Sequence, residues 1–367
     1  EPGTSGFRPQ AIRIIYNQNT AVINMFFNLK YLISHDSYSG DLTYLDPLAS
    51  KDGVSIYENN HYLPIGFAAE SSISEYKGES FIQFDNQNEL FRLATGIEED
   101  VLTRVDIKDV GHKGLNVIKS GYGNYSYQYS APDDGSEDCY LKFNYTVPDD
   151  GPLYVTFDFG EIKNVRIKVG DSVMRTHSSG KYMDIFAAGD FNAGDVVSFQ
   201  ADAKDQKNGS GTIYVYQINS DVFERGYRKL LEGALNVTKY DDTIIKGNII
   251  AEDDCLMYTS IPYDGGWKAY VDGKETEVQS IKNAFVCVPM SAGEHTVELR
   301  YCPPGFVVGA VISILSVATL VLLWIFVPKV KKKRFMSGEG TAENKWRNLK
   351  VMMAYRGNCV SWLSETG

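Results

Sequence analysis

FVVGAVISILSVATLVLLWIFV, residues 306–327, runs for 22 positions without a charge. Coiled as an α-helix it measures about 33 Å, enough to cross the hydrocarbon core of a bilayer. A helix of that length buried in a soluble protein would show a polar face, and here only Ser313, Ser316 and Thr319 interrupt the apolar run. Pro303-Pro304-Gly305 punctuates one end. Lys329, Lys331, Lys332, Lys333 and Arg334 follow the other, with Trp324 placed as an interfacial anchor. Residues 305–328 are read as a transmembrane helix with the lipid bilayer as its partner.

Basic residues gather on the cytoplasmic side of a membrane, so this cluster places 329–367 in the cytoplasm as a basic tail and 1–304 on the opposite side. The charge balance agrees. From Lys329 onward nine basic and three acidic residues give +6; the whole chain carries −11, which leaves −17 for everything before. Glu1-Pro2-Gly3-Thr4 offers no apolar run to export the outer part. The expectation is therefore the C-terminal part of a longer protein with earlier spans. A tail-anchored arrangement would put the lysines on the wrong side.

Upstream of the span the pattern is mainly β: a small α/β region, then two tandem β-sandwich (jelly-roll-like) modules. Residues 1–112 mix short helices, at 19–28 and 86–95, with strand-like pieces at 30–34, 53–57 and 62–67. From 114 to 218 apolar residues fall on every second position, as in Cys139–Tyr145, Leu153–Phe159, Val165–Val169, Val196–Phe199 and Thr212–Tyr216. Asp149-Asp150-Gly151-Pro152 and Asn208-Gly209-Ser210-Gly211 read as turns between them. Residues 219–234 form a helical connector, and 235–302 a second sandwich with an Asp272-Gly273 hairpin. The modules look related: Val165–Asp171 corresponds to Trp267–Gly273, and Ala193–Phe199 to Ala292–Leu299.

Two groups of motifs carry a family resemblance. One is the order Asn28–Ile33, Ile56-Tyr57-Glu58-Asn59, Leu63-Pro64-Ile65-Gly66-Phe67 and Asn86-Gln87-Asn88 before a helix ending Thr95-Gly96. The other is Ile261–Lys274 with Ala292-Gly293-Glu294-His295, Leu299-Arg300-Tyr301 and Pro303-Pro304-Gly305-Phe306 running into the span. Over roughly residues 10–330 the chain resembles the C-terminal part of the bacterial YfhO family of multi-spanning membrane proteins. The resemblance implies a bacterial cell membrane location. It also implies similarity to glycosyltransferases that use a polyprenyl-phosphate sugar outside the cell to modify teichoic-acid-type polymers. In such enzymes the catalytic carboxylate sits on an early outer loop, so no catalytic residue transfers to this chain. The implied partners are a cell-wall glycopolymer or a polyprenyl-linked sugar; nucleic acid is not among them.

The residues themselves point the same way. His35, His61, His112, His177 and His295 are scattered without metal-ligand spacing, and no CxxC occurs, so neither metal nor cofactor is expected. Cys255, Cys287 and Cys302 are read as one disulfide with a spare thiol, or as small buried or free thiols. Asp133-Asp134, Asp149-Asp150, Asp241-Asp242 and Asp253-Asp254 sit in turn contexts, where Asp bonds its own backbone. Candidate sugar contacts are aromatic: Tyr125, Tyr127 and Tyr129 share one strand face, and Trp267 opens a strand. For each, burial in the core is the competing account. Two other functions fit the same features, a single-span surface carbohydrate-binding or adhesion protein and a non-catalytic subunit of an envelope complex.

Overall fold

Period-two alternation is resolved into antiparallel sheets, and the two sheets of each sandwich turn a face to a core that they share. The computed structural model describes residues 7–10, 13–16, 19–35, 40–119, 126–130, 139–160, 162, 164–178, 184–203 and 208–335. It divides the chain into two units, 1–302 and 303–367.

In the first unit one sandwich pairs two sheets. The five-stranded sheet has the order Ser172–Ser178, Asn164–Val169, Val196–Asp202, Tyr140–Thr146, Ile107–Lys113. The facing sheet runs Phe186–Phe191, Gly151–Asp158, Asn208–Ile218, Ser126–Ser130, Asn116–Lys119, with Leu102–Arg104 also bonded to Asn208–Ile218. Leu141, Phe143, Ile167 and Phe199 from one sheet meet Leu153, Val155, Phe157 and Ile213 from the other in a dry core. The Asn208–Gly211 stretch is strand rather than turn. Its glycines answer a packing demand: a Cβ at Gly211 would lie 2.2 Å from the Phe159 ring, and one at Gly209 would lie 2.7 Å from the Tyr129 hydroxyl.

The second sandwich repeats the five-stranded sheet strand for strand: Lys274–Thr276, Trp267–Val271, Gly293–Tyr301, Ile244–Ala251, Asn236–Asp241. The two stretches that match in sequence hold equivalent, adjacent places, with Val165 opposite Ala201 and Trp267 opposite Tyr301. Its partner sheet is Gln279–Ile281, Phe285–Met290, Cys255–Pro262, Gly66–Glu70. The last strand comes from far upstream and takes the position that Asn208–Ile218 holds in the first copy. Sequence separation hid this completion.

Between the sandwiches lies a helical layer: α1 (Ala21–Phe26), α2 (Gln83–Thr95) and α3 (Ser220–Glu232). The stretch read as a connector is α3, and its Val222, Phe223 and Leu230 join one apolar cluster with Phe26, Phe84 and Phe91. Both sandwiches feed this cluster from the backs of their sheets. Tyr154, Tyr214 and Tyr216 enter from the first, and Phe67, Leu256 and Tyr258 from the second. Strands Gly151–Asp158 and Cys255–Pro262 are therefore buried on both faces.

Local sequence explains the helix ends. Thr20 caps α1 by accepting the Ile23 amide at 3.2 Å, and Gly96, at φ 70°, closes α2 in the left-handed conformation. The three amides Asn86-Gln87-Asn88 act as ties. Asn86 brackets the Ser80 backbone, Gln87 accepts from Thr20 Oγ1 at 2.6 Å, and Asn88 brackets Leu102 with two 2.8 Å bonds. A three-stranded sheet, Tyr31–His35, Val54–Asn59 and Leu45–Lys51, and the hairpin Phe7–Gln10 with Arg13–Tyr16 complete the unit.

The second unit contains α4 (Phe306–Phe335). Within it Phe306–Phe326 is the one helical stretch among the described residues long and apolar enough to cross a membrane. Ser316 and Thr319 return their hydroxyls to the carbonyls of Ile312 and Leu315 at 2.8 Å, so their polar atoms are satisfied inside the helix. The basic tail beyond residue 335 lies outside the described residues.

Candidate functional site

Asp264-Gly265-Gly266-Trp267 joins the two sheets of the second sandwich. Gly266 is needed for close approach, because a Cβ there would lie 2.5 Å from the Cys302 carbonyl oxygen. Its carbonyl accepts the Cys302 amide at 3.0 Å, which holds the loop against the last strand. Asp264 fixes the geometry from both sides, accepting the Gly266 amide and the Tyr301 hydroxyl, each at 2.7 Å. Hydrogen bonding to that carboxylate raises the Tyr301 phenol above its ordinary range. Trp267 rests one side on the sandwich core and stays half-buried, its ring 4.9 Å from that of Tyr301. The result is an aromatic ledge beside a fixed carboxylate, able to stack a sugar ring and accept its hydroxyls.

The tyrosine strand behaves differently. Tyr127 and Tyr129 are 8% and 4% exposed and point into the first sandwich, with Tyr127 packed 5.2 Å from Phe143. Burial raises both phenols. Both belong to the buried cluster of that sandwich, as the competing core-packing account has it. Tyr125 lies outside the described residues.

Other sequence candidates resolve into structural roles. Asp150 accepts the Ala193 amide at 2.8 Å, Asp254 that of Ala292 at 3.0 Å and Asp241 that of Asp242 at 2.9 Å, so each anchors a turn. Asp133-Asp134 lies outside the described residues. Among the described residues no three His, Cys, Asp or Glu side chains are grouped to hold a metal. Cys139, Cys255 and Cys287 are buried and Cys302 is exposed, all as free thiols. Burial pushes Cys255 up to about 11 and Cys287 up to about 12, which makes both poor nucleophiles.

Two polar pairs escaped the sequence reading. His61 Nε2 meets Glu224 Oε2 at 2.8 Å inside a cage of Tyr44, Phe223 and Tyr227. The contact with His61 lowers the Glu224 carboxyl. His295 Nδ1 meets Asp272 Oδ2 at 2.8 Å and its Nε2 meets the Ser291 carbonyl at 3.0 Å. Partners 163 and 23 positions apart leave no local signal. A small cleft lined by Glu70, Lys229 and Asp254 encloses about 70 Å³, too little for a sugar, and Lys229 is already bound to Glu70 at 2.6 Å.

A curated relative, the uncharacterized protein YfhO of Bacillus subtilis (strain 168), is 32% identical over 83 residues, 23% of this chain and 9% of the relative. The matched segment is thus a small part of that protein. Among solved structures, a mutant family 29 carbohydrate-binding module is 17% identical, covering 31% of this chain and 86% of its own, at a TM-score of 0.21. A GH2 β-galacturonidase from Eisenbergiella tayi is 12% identical, covering 55% and 38%, at a TM-score of 0.20. Similarity at these scores supports no statement about fold or ligand. The model of the family described as bacterial membrane protein YfhO matches residues 4–313, and with that match the chain belongs to the YfhO family of bacterial membrane proteins.

Proposed function

We propose that this chain is the extracytoplasmic C-terminal part, final span and cytoplasmic tail of a multi-spanning membrane glycosyltransferase. The whole protein takes a sugar from a polyprenyl-phosphate donor and adds it to a cell-envelope polymer of the teichoic-acid type. Residues 1–304 lie outside the cytoplasm and 329–367 inside. The catalytic carboxylate belongs to an outer loop among the earlier spans. The part described here positions the acceptor and braces the enzyme, with Trp267, Tyr301 and Asp264 as one sugar contact.

The observation that carries this reading is the order of parts: a two-sandwich unit, then one apolar helix, then a lysine cluster. A large β unit placed directly before a single span suits a polymer-handling device held at a membrane surface. The test is sugar transfer by the full-length protein in vesicles, from labelled polyprenyl-phosphate hexose to the polymer. Wild type transfers label, and neutralising an acidic residue of the first outer loop abolishes transfer. Trp267→Ala raises the KM for the acceptor and leaves kcat near wild type. A wild-type protein that transfers no sugar contradicts the reading.

A further inference from the structure

The two five-stranded sheets share strand order, so their outward faces can be compared position by position. In the second sandwich that face is a closed ion network. Glu298 binds Lys246 at 3.1 Å and Arg300 at 2.7 Å, Arg300 lies 4.6 Å over Tyr270, and Lys268 binds Glu275 at 2.7 Å. Among the described residues these five charges are paired with one another, which leaves none of them free for a ligand.

The equivalent face of the first sandwich is open. Cross-strand register places Arg166, Gln200 and Lys142 in one row and Lys168, Ser198 and Asn144 in the next. Gln200 and Ser198 are 6% and 3% exposed although they stand on the solvent side of the sheet. Each is oriented by neighbours: Gln200 donates to Asp202 at 3.2 Å, Ser198 donates to Asn144 at 2.7 Å, and Asn144 donates on to Asp109. Arg166 pairs with Asp202 through Nη2, and its Nε is buried without a partner. Lys142 and Lys168 have no hydrogen-bond or ion-pair partner among the described residues. Among the described residues Lys142, Arg166 and Lys168 therefore stand beside Asp109 and Asp202 on this surface, within a portion of the chain that carries −17.

A fixed amide and oriented carboxylates match sugar hydroxyls; free ammonium groups beside them match phosphate or carboxylate. We propose that this face binds an anionic, hydroxyl-rich glycopolymer, with Asn144 and Asp202, oriented by the buried Ser198 and Gln200, on the sugar and Lys142, Arg166 and Lys168 on the anionic groups. It locates the acceptor contact of the function proposed above and rests on that reading for its biological role. The charge complementarity is local, which reconciles a polyanionic ligand with an acidic protein.

The experiment titrates the full chain, in detergent, with glycosylated poly(glycerol phosphate), and compares dextran and polyphosphate. The glycopolymer binds, the binding weakens with salt, and dextran and polyphosphate bind at least about tenfold more weakly. Lys142→Gln with Lys168→Gln lowers affinity for the glycopolymer about tenfold, and because neither lysine has a partner the melting temperature is unchanged. Lys246→Gln, on the closed face, leaves affinity at the wild-type value. Unchanged binding by the double variant overturns the proposal, as does polyphosphate binding as tightly as the glycopolymer. Binding is read without sugar transfer, so binding without transfer refutes the glycosyltransferase reading alone, and transfer without binding refutes this face alone.

Discussion

The Tyr154 hydroxyl, on the back of a sandwich strand, donates to the Asp41 carboxylate at 2.9 Å inside the helical layer. The same oxygen accepts the amide of Ala21 at 3.1 Å, at the first turn of α1. Tyr154 and Asp41 are both almost fully buried. One phenol therefore joins the first sandwich, the segment before Leu42 and helix α1, and burial with the nearby Asp41 charge keeps it protonated.

Tyr154→Phe keeps the ring and removes this junction. The Ala21 amide is left without its acceptor and Asp41 loses a donor in a dry site. The expected loss is about 2 kcal/mol, from the cost of stranding buried polar groups. Equilibrium denaturation of the purified chain would measure it; a change within error would show that the junction is not structural.

Helices α2 and α3 cross at a single glycine. A Cβ on Gly226 would sit 2.1 Å from the Phe91 ring, whose position is set by the core around it. Gly226→Ala is expected to destabilise by about 2–3 kcal/mol through overpacking. Adding Phe91→Leu should recover part of that loss, which a double-mutant cycle would register as coupling between the two sites.

The Asp272–His295 pair makes the second sandwich sensitive to pH. Hydrogen bonding to Asp272 raises His295 above its ordinary 6.5, and the same bond lowers Asp272 below 3.8. The histidine's contribution is complete below 6.5 and fades as pH rises through its folded value. The aspartate's contribution is complete above 3.8 and fades as pH falls through its folded value. The pair should therefore support the Asp272-Gly273 hairpin most between pH 3.8 and 6.5. Melting curves of His295→Asn against wild type should differ most in that window and draw together at higher pH. A constant difference across pH would exclude the pair as the cause.

Much of this architecture was legible because strand faces and helix caps are local signals. Leu153, Val155 and Phe157 announce one buried face, Thr20 announces the start of α1, and Gly96 its counterpart at the end of α2. What local pattern could not show was assembly over distance. Gly66–Glu70 completes a sheet whose other strands begin at Cys255, and nothing within five residues records that choice. α3 resembled a connector because its amphipathic face has no visible partner in sequence; the partner is the back of two separate sheets. The Asn208–Gly211 stretch misled for the opposite reason, since glycines that make room for Phe159 and Tyr129 look like turn residues. The ledge at Trp267 was half legible: the tryptophan stood out, while Asp264 and Tyr301, which hold it in place, are joined only through the fold.

Topology is the claim on which the functional account stands, and thiol labelling of intact cells tests it directly. Cys302 is exposed and Cys359 lies beyond the lysine cluster. Full-length variants retaining only one of these cysteines would be treated with a membrane-impermeant maleimide. The account predicts that Cys302 reacts in intact cells and Cys359 reacts only after lysis; the reverse pattern would contradict it.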